Sequence, residues 1–573
     1  MAPLIVSSRN FPRQTGRVVG VVGLAVVLTA VAASLSLRLS EQFGRLSVPP
    51  LYDDVAYFVS AIQWLDQASG HGVVANILGL LRQHAPFSTL MAAIGFYFRP
   101  QGYLGPYAMN AVVILAFLLG IARLLWTRPL VDIAAGLIGA ASVPVFWQTM
   151  TEARPDLPWG LALGLAVGAV VYRPLLARSA RSLVWIGVLG GLASSIKPSA
   201  FPASLACLGL VACVPVLGEC LVTSDARGLR AVFTRGAPAL LLFAAGLLAS
   251  TLSIIGIELV NTIHYILNTL IYDGDFWRSS ESFVAGLFRY SVGPEGRYAL
   301  NYWLWIGLAL ATLRIFLAIS GDRRDLGAAF TVLAAGLVAY AIPSVSNVKS
   351  FFLGAMFYGV FIVTMTLNFA ANAAALDDAI AHVRPSLQRW LGPVVHLGPL
   401  IAVCALFVVT CLPNGFALST RLTEDQNQDI RTATAKVWSL LQENSLIQGA
   451  ETSAQPKRVP VISFSSPYPV TPDAIQLYAE QAHIRLDARG MADRTLDGAE
   501  RTLLASDIAV VTSSLPHTFL PARMGDELIG FLDGNPGYVW WLHCHCVPRG
   551  RSGYIVAAIT AVAPRCRTLV RRS

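Results

Sequence analysis

The chain has 573 residues, of which 55% are hydrophobic and only 13% are charged. Soluble chains carry about 25% charged residues, so this composition excludes a string of soluble domains and indicates that most of the chain lies in lipid. The formal net charge is +9. No basic run with interleaved aromatic residues accompanies it, so the charge indicates cytoplasmic loops of a membrane protein and no nucleic-acid partner.

The first predicted element is an uncleaved membrane span. Arg9, Arg13 and Arg17 precede an apolar run that ends at Leu37. At about 20 residues, this run is longer than the hydrophobic region of a signal peptide, which has roughly 7–15. Further apolar runs raise the predicted number of membrane helices to about eleven by the 20-residue criterion: 104–126, 132–150, 157–173, 182–196, 200–217, 237–258, 299–319, 327–345, 350–371 and 397–413.

Loop charge predicts the orientation. With a cytoplasmic N-terminus, the short outward loops hold one basic residue each, Arg154, Lys197 and Lys349, and the inward loops hold two or three arginines each. This alternation follows the positive-inside rule and places the C-terminus outside a cell inner or plasma membrane. It requires the apolar stretch 86–98 to lie on the membrane or dip into it without crossing.

The predicted outer loop 39–103 contains two amphipathic patterns, Val55–Leu65 and Val73–Leu81, which are typical of helices in the membrane interface. We therefore divide the chain into a transmembrane domain, 1–413, and an extracytoplasmic α/β domain, 414–573. The second domain is predicted from alternating elements: helix 424–443, strand 459–464, helix 472–481, a strand near 484–486, helix 496–504, strand 507–512, helix 524–533, and strands 537–543 and 553–559. No nucleotide-binding glycine loop follows any of these strands.

Two carboxylate motifs lie on the predicted outer face. Asp53 and Asp54 form an acidic pair after the first span, and Asp156 follows Glu152 and Arg154 at the start of the fourth. Two convergent carboxylates can serve as a general base and as a metal or substrate ligand. Capping of the helix that follows explains Asp53 and Asp156 equally well.

Isolated cations share that face. They are Arg82 and His84 before the 86–98 stretch, and Lys197 and Lys349 in short loops. Each one, taken singly, is explained as an interfacial cation that snorkels to the lipid headgroups. Together with the acids, they suit a substrate with a lipid tail and a phosphate.

These motifs resemble those of the GT-C superfamily of integral-membrane glycosyltransferases, in particular the protein O-mannosyltransferases and the lipid A aminoarabinose transferases. The resemblance covers roughly residues 17–371. Five motifs carry it in chain order: Asp53-Asp54 with Tyr57; His84-Ala85-Pro86-Phe87, with one proline missing; Arg154-Pro155-Asp156; Gly191-Leu192-Ala193 through Lys197; and Lys349 to Leu353, without the family's Arg-Tyr.

The resemblance implies a GT-C-like fold and transfer of a hexose or pentose from a polyprenyl-phosphate donor to a glycan, lipid or protein acceptor of the cell envelope. By this resemblance Asp53 is the general base, and Asp54 and Asp156 position the substrate or, with Asp53, bind a divalent cation. Lys197, Lys349 and Arg82 neutralise the phosphate. Tyr57, His84, Glu152 and Arg154 complete the predicted substrate site. Metal dependence stays open, because no His/Cys cluster in the transmembrane half fixes a site.

Competing interpretations are a secondary transporter or lipid-linked-sugar flippase, and a non-catalytic subunit of a polysaccharide assembly system. Transporters usually show two similar halves and mid-membrane charges, which this sequence lacks.

In the tail, Cys544, Cys546 and Cys566 favour a disulfide or a buried strand over zinc, since no second ligand pair accompanies them.

Overall fold

The computed structural model describes residues 11–49, 53–68, 70, 72–172, 178–222, 226–268, 279, 281–320, 323–346, 349, 351–383, 385–411, 424–443, 459–465, 470, 472–491, 495–512, 524–533, 538–545 and 556–562. The chain forms two units, which are described separately. The first comprises Met1–Arg38, Val73–Arg99 and Leu104–Ser419, and the second comprises Leu39–Gly72, Pro100–Tyr103 and Thr420–Ser573.

The helices in chain order are α1 (Phe11–Phe43), α2 (Asp53–Ala68), α3 (Val73–Leu81), α4 (Pro86–Phe98), α5 (Leu104–Ala108), α6 (Asn110–Leu124), α7 (Leu130–Ala141), α8 (Pro144–Gln148), α9 (Asp156–Tyr172), α10 (Ala180–Ile196), α11 (Phe201–Val222), α12 (Ala226–Ile255), α13 (Leu259–Leu267), α14 (Phe283–Phe288), α15 (Pro294–Ala299), α16 (Trp303–Ser320), α17 (Arg323–Val345), α18 (Ala355–Val383), α19 (Pro385–Cys411), α20 (Glu424–Glu443), α21 (Pro472–Gln481), α22 (Leu496–Ala505) and α23 (Met524–Asp533).

Within the described ranges, eight helices are long and apolar enough to cross a membrane. A ninth candidate is the pair α7 and α8, bent by 68°. With 17 residues each, α9 and α10 are a little shorter than the roughly 20 residues of an upright span. The prediction of a polytopic helical membrane protein is confirmed. The count of eleven spans needs the bent pair and both shorter helices, and it stays a prediction.

The bend between α7 and α8 divides the apolar run 132–150, which we predicted as one helix. Pro144 lies at the first turn of α8. It has no N–H to continue the hydrogen bonds of α7, and its ring clashes with the carbonyl four residues earlier in a continuous helix. The indole N–H of Trp147 folds back and donates to the carbonyl of Ala141, the last residue of α7. The chain then runs through a short turn, Thr149–Thr151, toward α9.

Helices α9 and α18 pack backbone against backbone at three glycines, which we call the glycine seam: Gly160, Gly164 and Gly359. A Cβ at any of the three would lie under 3.0 Å from a carbonyl oxygen of the facing helix. Small residues are what allow membrane helices to approach this closely. The glycine seam therefore fixes α9, which begins at Asp156, against α18, which begins just after residues 351–354.

The second unit contains a five-stranded sheet in the order β2-β1-β3-β5-β4, with β1 parallel to β2 and β3, and β5 antiparallel to β3 and β4. Along β3, Ile508 and Val510 face a core with α20 and α21, whereas Ala509 and Val511 face a core with α22 and α23. Helices thus cover both faces, as expected for a small α/β layer structure. The strands are β1 (Val461–Phe464), β2 (Asp487–Gly490), β3 (Ile508–Thr512), β4 (Tyr538–His545) and β5 (Val556–Val562).

Strand β2 begins three residues after the position predicted near 484–486. The reason is the end of α21: His483 adopts a left-handed conformation with φ of 55°, and the N–H of Ile484 donates to the carbonyl of Ala479. Such a residue ends a helix by satisfying its last carbonyl groups. The apolar residues after it therefore close the helix, and pairing starts at Asp487. Cys546 and Cys566, and the side chain of Cys544, lie outside the described part of the chain.

The start of the predicted outer loop belongs to this second unit. Gln63 on α2 donates from its amide nitrogen to Glu480 on α21, at 2.8 Å. The ring of Phe58 is parallel to that of Tyr103, with centroids 6.5 Å apart. Residues 39–72 and 100–103 are thus part of the unit that contains the C-terminal sheet, and the division at 413/414 stays a prediction.

Candidate active site

Asp156 and Lys197 form an ion pair in the first unit. Asp156 begins α9, where the free backbone N–H groups and the helix dipole stabilise a carboxylate. Lys197 follows the last residue of α10, and Pro198 after it disfavours continuation of that helix. The Lys197 ammonium donates to Asp156 Oδ1, and the two side chains are 17% and 8% exposed. The fold therefore joins two predicted site residues that are 41 positions apart.

Trp159, one turn into α9, orients this pair. The Lys197 Nζ lies 5.7 Å from the centroid of the Trp159 ring, within the range of a cation–π interaction. The Trp159 ring is itself held by a hydrogen bond from Nε1 to Ser204 Oγ, at 2.8 Å. The ammonium is thus held between a carboxylate and an aromatic face.

The segment before α9 also contains predicted site residues. The guanidinium carbon of Arg154 lies 4.0 Å from the centroid of the Phe352 ring. Glu152 is buried, and its backbone carbonyl accepts a hydrogen bond from Asn110 Nδ2 at 2.8 Å. Arg154 therefore connects the loop before α9 to the 351–354 turn, on which it stacks by its planar face.

An apolar groove with a volume of about 610 Å³ runs between α4, α6, α9 and α10. Its lining includes Ser195 and Ile196, the two residues directly before Lys197. Apart from Arg123 and Ser195 the lining is non-polar: Leu80, Leu81, Pro86, Phe87, Leu90, Gly120, Leu124, Ala162, Leu165, Ala166, Ala169, Leu189, Leu192, Ala193, Ile196 and Ile254. This groove is suited to an apolar chain whose charged end lies near Lys197.

Lys349 lies in a second charged cluster. Its ammonium donates to the backbone carbonyls of Pro343 and Ser344 and lies 5.8 Å from the centroid of the Tyr290 ring. Gly286 leaves room for the aliphatic part of the Lys349 side chain, because a Cβ at position 286 would lie 2.9 Å from Lys349 Cε. Lys349 is therefore held by backbone oxygens, whereas Lys197 is held by a carboxylate.

Arg289 organises the charges around Lys349. It donates to Glu281 and to Glu295, at 2.6 Å in each case. The pKa of the Lys349 ammonium is lowered, first by burial and then by the positive charge of Arg289, with Glu281 opposing the shift. A lowered pKa means that Lys349 loses its proton, and with it any ability to hold an anion, at a lower pH than an ordinary lysine.

We therefore expect Arg289→Met to raise the pKa of Lys349, because it removes the neighbouring cation and leaves Glu281 in place. The pH dependence of reductive methylation at Lys349, followed by peptide mass spectrometry, measures that pKa. Arg297→Met is the matched control, since Arg297 is an exposed arginine of the same segment. An unchanged midpoint in Arg289→Met would contradict the assigned electrostatic role.

The predicted acidic pair lies in the second unit. Asp54 is fully buried, and Arg45 Nη1 donates to its Oδ2 at 2.5 Å. Asp53 is the first residue of α2, but its side chain lies outside the described part of the chain. Tyr57 is half-buried, one turn further along. Asp54 is thus placed as an anchor for the start of α2, and the role of Asp53 stays a prediction.

Arg82 and His84 lie between α3 and α4 and are both exposed. The His84 ring meets the Tyr265 ring edge-on, with centroids 4.7 Å apart. No residue of α3 is buried within its unit, which agrees with the prediction of a helix in the membrane interface.

Sequence comparisons and structure comparisons give different results. No protein-family model matches the chain, and no curated protein sequence matches it. Among solved structures, ArnT from Cupriavidus metallidurans in the apo state has a TM-score of 0.51 at 14% identity, with 95% of this chain and 98% of that chain covered. ArnT from the same organism, bound to undecaprenyl phosphate, has a TM-score of 0.49 at 14% identity, with the same 95% and 98% of the two chains covered. The Archaeoglobus fulgidus oligosaccharyltransferase in complex with Zn and sulfate has a TM-score of 0.46 at 14% identity, with 84% of this chain and 67% of that chain covered.

The chain has a GT-C-like fold. The fold implied by the five motifs is thereby confirmed, with its small C-terminal sheet. At 14% identity the likeness concerns the fold alone, so the roles of individual residues in the GT-C-like fold stay predictions.

Several residues of the site were missed by sequence reasoning. Arg45, Trp159 and Arg289 each hold a predicted site residue or adjust its charge. Arg45 lies nine positions before Asp54 in the same predicted loop, so a search for an opposite charge near the acidic pair would have found it. Trp159 is one turn after Asp156 and could be found by helical spacing. Arg289 is 60 positions from Lys349, and no local pattern joins them.

A divalent cation on Asp53 and Asp156 is not supported by the described residues. No three His, Cys, Asp or Glu side chains among them are arranged to hold a metal ion. Asp156 instead binds the Lys197 ammonium, and the Asp53 carboxylate is outside the described part. The mechanism proposed below therefore uses this chain's own charges, and a metal stays an untested prediction.

Proposed function

We propose that this protein is a membrane glycosyltransferase that moves a hexose or pentose from a polyprenyl-phosphate donor to an acceptor of the cell envelope. The observation that carries the proposal is the Asp156–Lys197 pair, whose lysine directly follows two lining residues of the apolar groove, Ser195 and Ile196. The groove volume falls in the usual range for ligand sites, about 300–1,000 Å³. Its non-polar walls suit the polyprenyl tail, and the ammonium suits the phosphate.

The proposed step is a single displacement with inversion at the anomeric carbon. Asp53 accepts the proton of an acceptor hydroxyl, whose oxygen attacks that carbon. The bond from the anomeric carbon to the phosphate oxygen breaks, and the electron pair leaves with the polyprenyl phosphate. Lys197 stabilises the charge that grows on this leaving group, and Lys349 and Arg82 are further candidates for this role. Asp156 positions Lys197, and Asp54 anchors the helix that begins with Asp53.

The other predicted residues complete the substrate site in this proposal. Glu152 and Arg154 precede Asp156, His84 lies two residues before Pro86 in the groove wall, and Tyr57 lies one turn after Asp53. The GT-C-like fold supports a membrane glycosyltransferase over a transporter or a flippase. We propose an inner or plasma membrane location with a cytoplasmic N-terminus and an extracytoplasmic C-terminal unit, which follows from the loop charges.

The test supplies undecaprenyl-phosphate-linked, radiolabelled sugars to the purified full-length protein in nanodiscs together with an envelope extract. We expect transfer of label to the extract and release of undecaprenyl phosphate. Mass spectrometry of envelope glycans and lipids from a strain that lacks the protein then identifies the product. Movement of the lipid-linked sugar across liposome membranes without any transfer would instead establish a flippase or transporter.

A further inference from the structure

A second groove, with a volume of about 470 Å³, lies in the second unit between α20 and α21. We call it the tail groove. One wall is a continuous face of α20 that carries Trp438, Ser439 and Gln442. The other wall is a face of α21 that carries Tyr478 and Gln481. The adjacent face of α20, with Val437 and Leu441, packs on the sheet. Trp438 and Tyr478 pack against the edge of this core and also line the tail groove.

The aromatic wall of the tail groove is held by ring contacts and a hydrogen bond. The rings of Trp438 and Tyr478 meet edge-on, with centroids 5.6 Å apart. The Tyr478 hydroxyl is hydrogen-bonded to Tyr103, and burial raises the pKa of both phenols, so both keep their protons. Tyr103 is in turn parallel to Phe58 on α2. A ligand that stacks on this wall meets rings that are already in place.

The polar groups of the tail groove are uncharged. The lining includes two glutamine amides and one serine hydroxyl, and no acidic or basic side chain. The amide nitrogen of Gln481 is buried and has no hydrogen-bond partner among the described residues. Amides both donate and accept, which matches the arrays of hydroxyl groups on a sugar, whereas an anionic headgroup would call for cations.

We propose that the tail groove binds a saccharide, with a sugar ring against the face of Trp438, beside Tyr478, and its hydroxyls toward the glutamine amides. This inference rests on the proposed function for one further step: the bound saccharide is part of the acceptor, so the acceptor is a glycan. Within the second unit, helix α2 connects α21, which forms one wall of the tail groove, to Asp53. Its Gln63 donates to Glu480 on α21, and its first residue is Asp53. Asp53 and Gln63 are ten residues apart on α2, a helix rise of about 15 Å, so a glycan that reaches from α21 to Asp53 contains more than one sugar.

The binding test uses the full-length protein in nanodiscs and short oligosaccharides prepared from the envelope polysaccharide of the same cell, without any donor. We expect saturation-transfer NMR to show binding to the wild-type protein and about tenfold weaker binding to Trp438→Ala and to Gln481→Leu. Lys436→Ala, an exposed position of α20 outside the groove lining, is the matched control and should bind as the wild type does. Trp438→Phe keeps an aromatic face and should bind measurably better than Trp438→Ala.

The transfer assay distinguishes the two proposals. With saturating donor, Trp438→Ala should raise the KM for the oligosaccharide about tenfold and leave kcat nearly unchanged. Binding that is lost in Trp438→Ala, in a protein that transfers no sugar, supports the saccharide site and contradicts the proposed function. Equal binding by the wild type, Trp438→Ala and Gln481→Leu overturns the saccharide site and leaves the proposed function intact. Melting temperatures show whether each variant is folded. If Trp438→Ala does not fold, the two single variants Trp438→Phe and Gln481→Leu test the saccharide site instead.

Discussion

Replacement of Lys197 by methionine should lower the rate of sugar transfer by about 10²–10³-fold, the range measured when one preorganised donor to a developing negative charge is removed. Lys197 directly follows two lining residues of the apolar groove, and its ammonium is held by Asp156 and the Trp159 ring. It is therefore placed to neutralise the leaving phosphate. The measurement is release of undecaprenyl phosphate from a labelled donor at saturating acceptor. Lys197→Arg, which keeps the charge, should lose less.

Loss of stability has to be separated from loss of chemistry in this variant. Lys197→Met leaves the Asp156 carboxylate, 8% exposed, without its ammonium, and breaking such a pair costs about 3–5 kcal/mol. The double variant Asp156→Asn, Lys197→Met removes both charges, so its melting temperature should recover toward the wild-type value. Its transfer rate should stay low. If activity returns together with stability, Lys197 is structural and the phosphate is bound elsewhere.

Replacement of Asp53 by asparagine should lower transfer by about 10²–10⁴-fold, the usual contribution of a general base. Donor binding should persist, because the groove and Lys197 belong to the first unit and are unchanged. Equilibrium binding of a labelled polyprenyl-phosphate sugar and a transfer assay on the same preparation measure the two effects. Asp66→Asn, an exposed carboxylate on the same helix α2, is the matched control. Wild-type activity in Asp53→Asn would show that helix capping is the whole role of this residue.

Replacement of the adjacent Asp54 tests whether the loss of transfer is specific to Asp53. Asp54→Asn removes the buried carboxylate charge that accepts from the Arg45 guanidinium, so we expect a lower melting temperature. The fraction that remains folded should transfer sugar faster than Asp53→Asn does. Two adjacent carboxylates would then have separate roles, one in stability and one in chemistry.

Sequence patterns predicted those parts of the fold that depend on length and polarity. Apolar runs predicted the membrane helices because lipid requires about 20 apolar residues, and alternation of elements predicted the α/β layers. The bend at Pro144 was not predicted, since hydropathy averages over the residues that break a helix. Strand β2 begins at Asp487, later than predicted, because a left-handed residue, His483, ends the preceding helix. Hydrophobicity alone contains no signal for either event.

The candidate site was predictable only in part, for a related reason. Asp156 and Lys197 were assigned to one face of the membrane by loop charge, but their ion pair depends on the packing of α9 beside α10. Arg289 acts on Lys349 through space, across 60 positions of sequence. The tail groove is formed by two helices, and only their packing places Trp438 beside Tyr478. Pairings of this kind follow from tertiary structure and have no local signature.

Because backbone meets backbone along the glycine seam, α9 and α18 can neither rotate nor slide past each other without forcing a larger side chain into the contact. Asp156 begins one of these helices, and the Phe352 ring that Arg154 covers precedes the other. Asp156, which positions Lys197, and the ring on which Arg154 lies are therefore fixed at the starts of two helices that meet through glycines, without side chains between them. Acceptor choice can then diverge through substitutions in the second unit while the donor half keeps its geometry, and a redesign for new acceptors should leave these three glycines untouched.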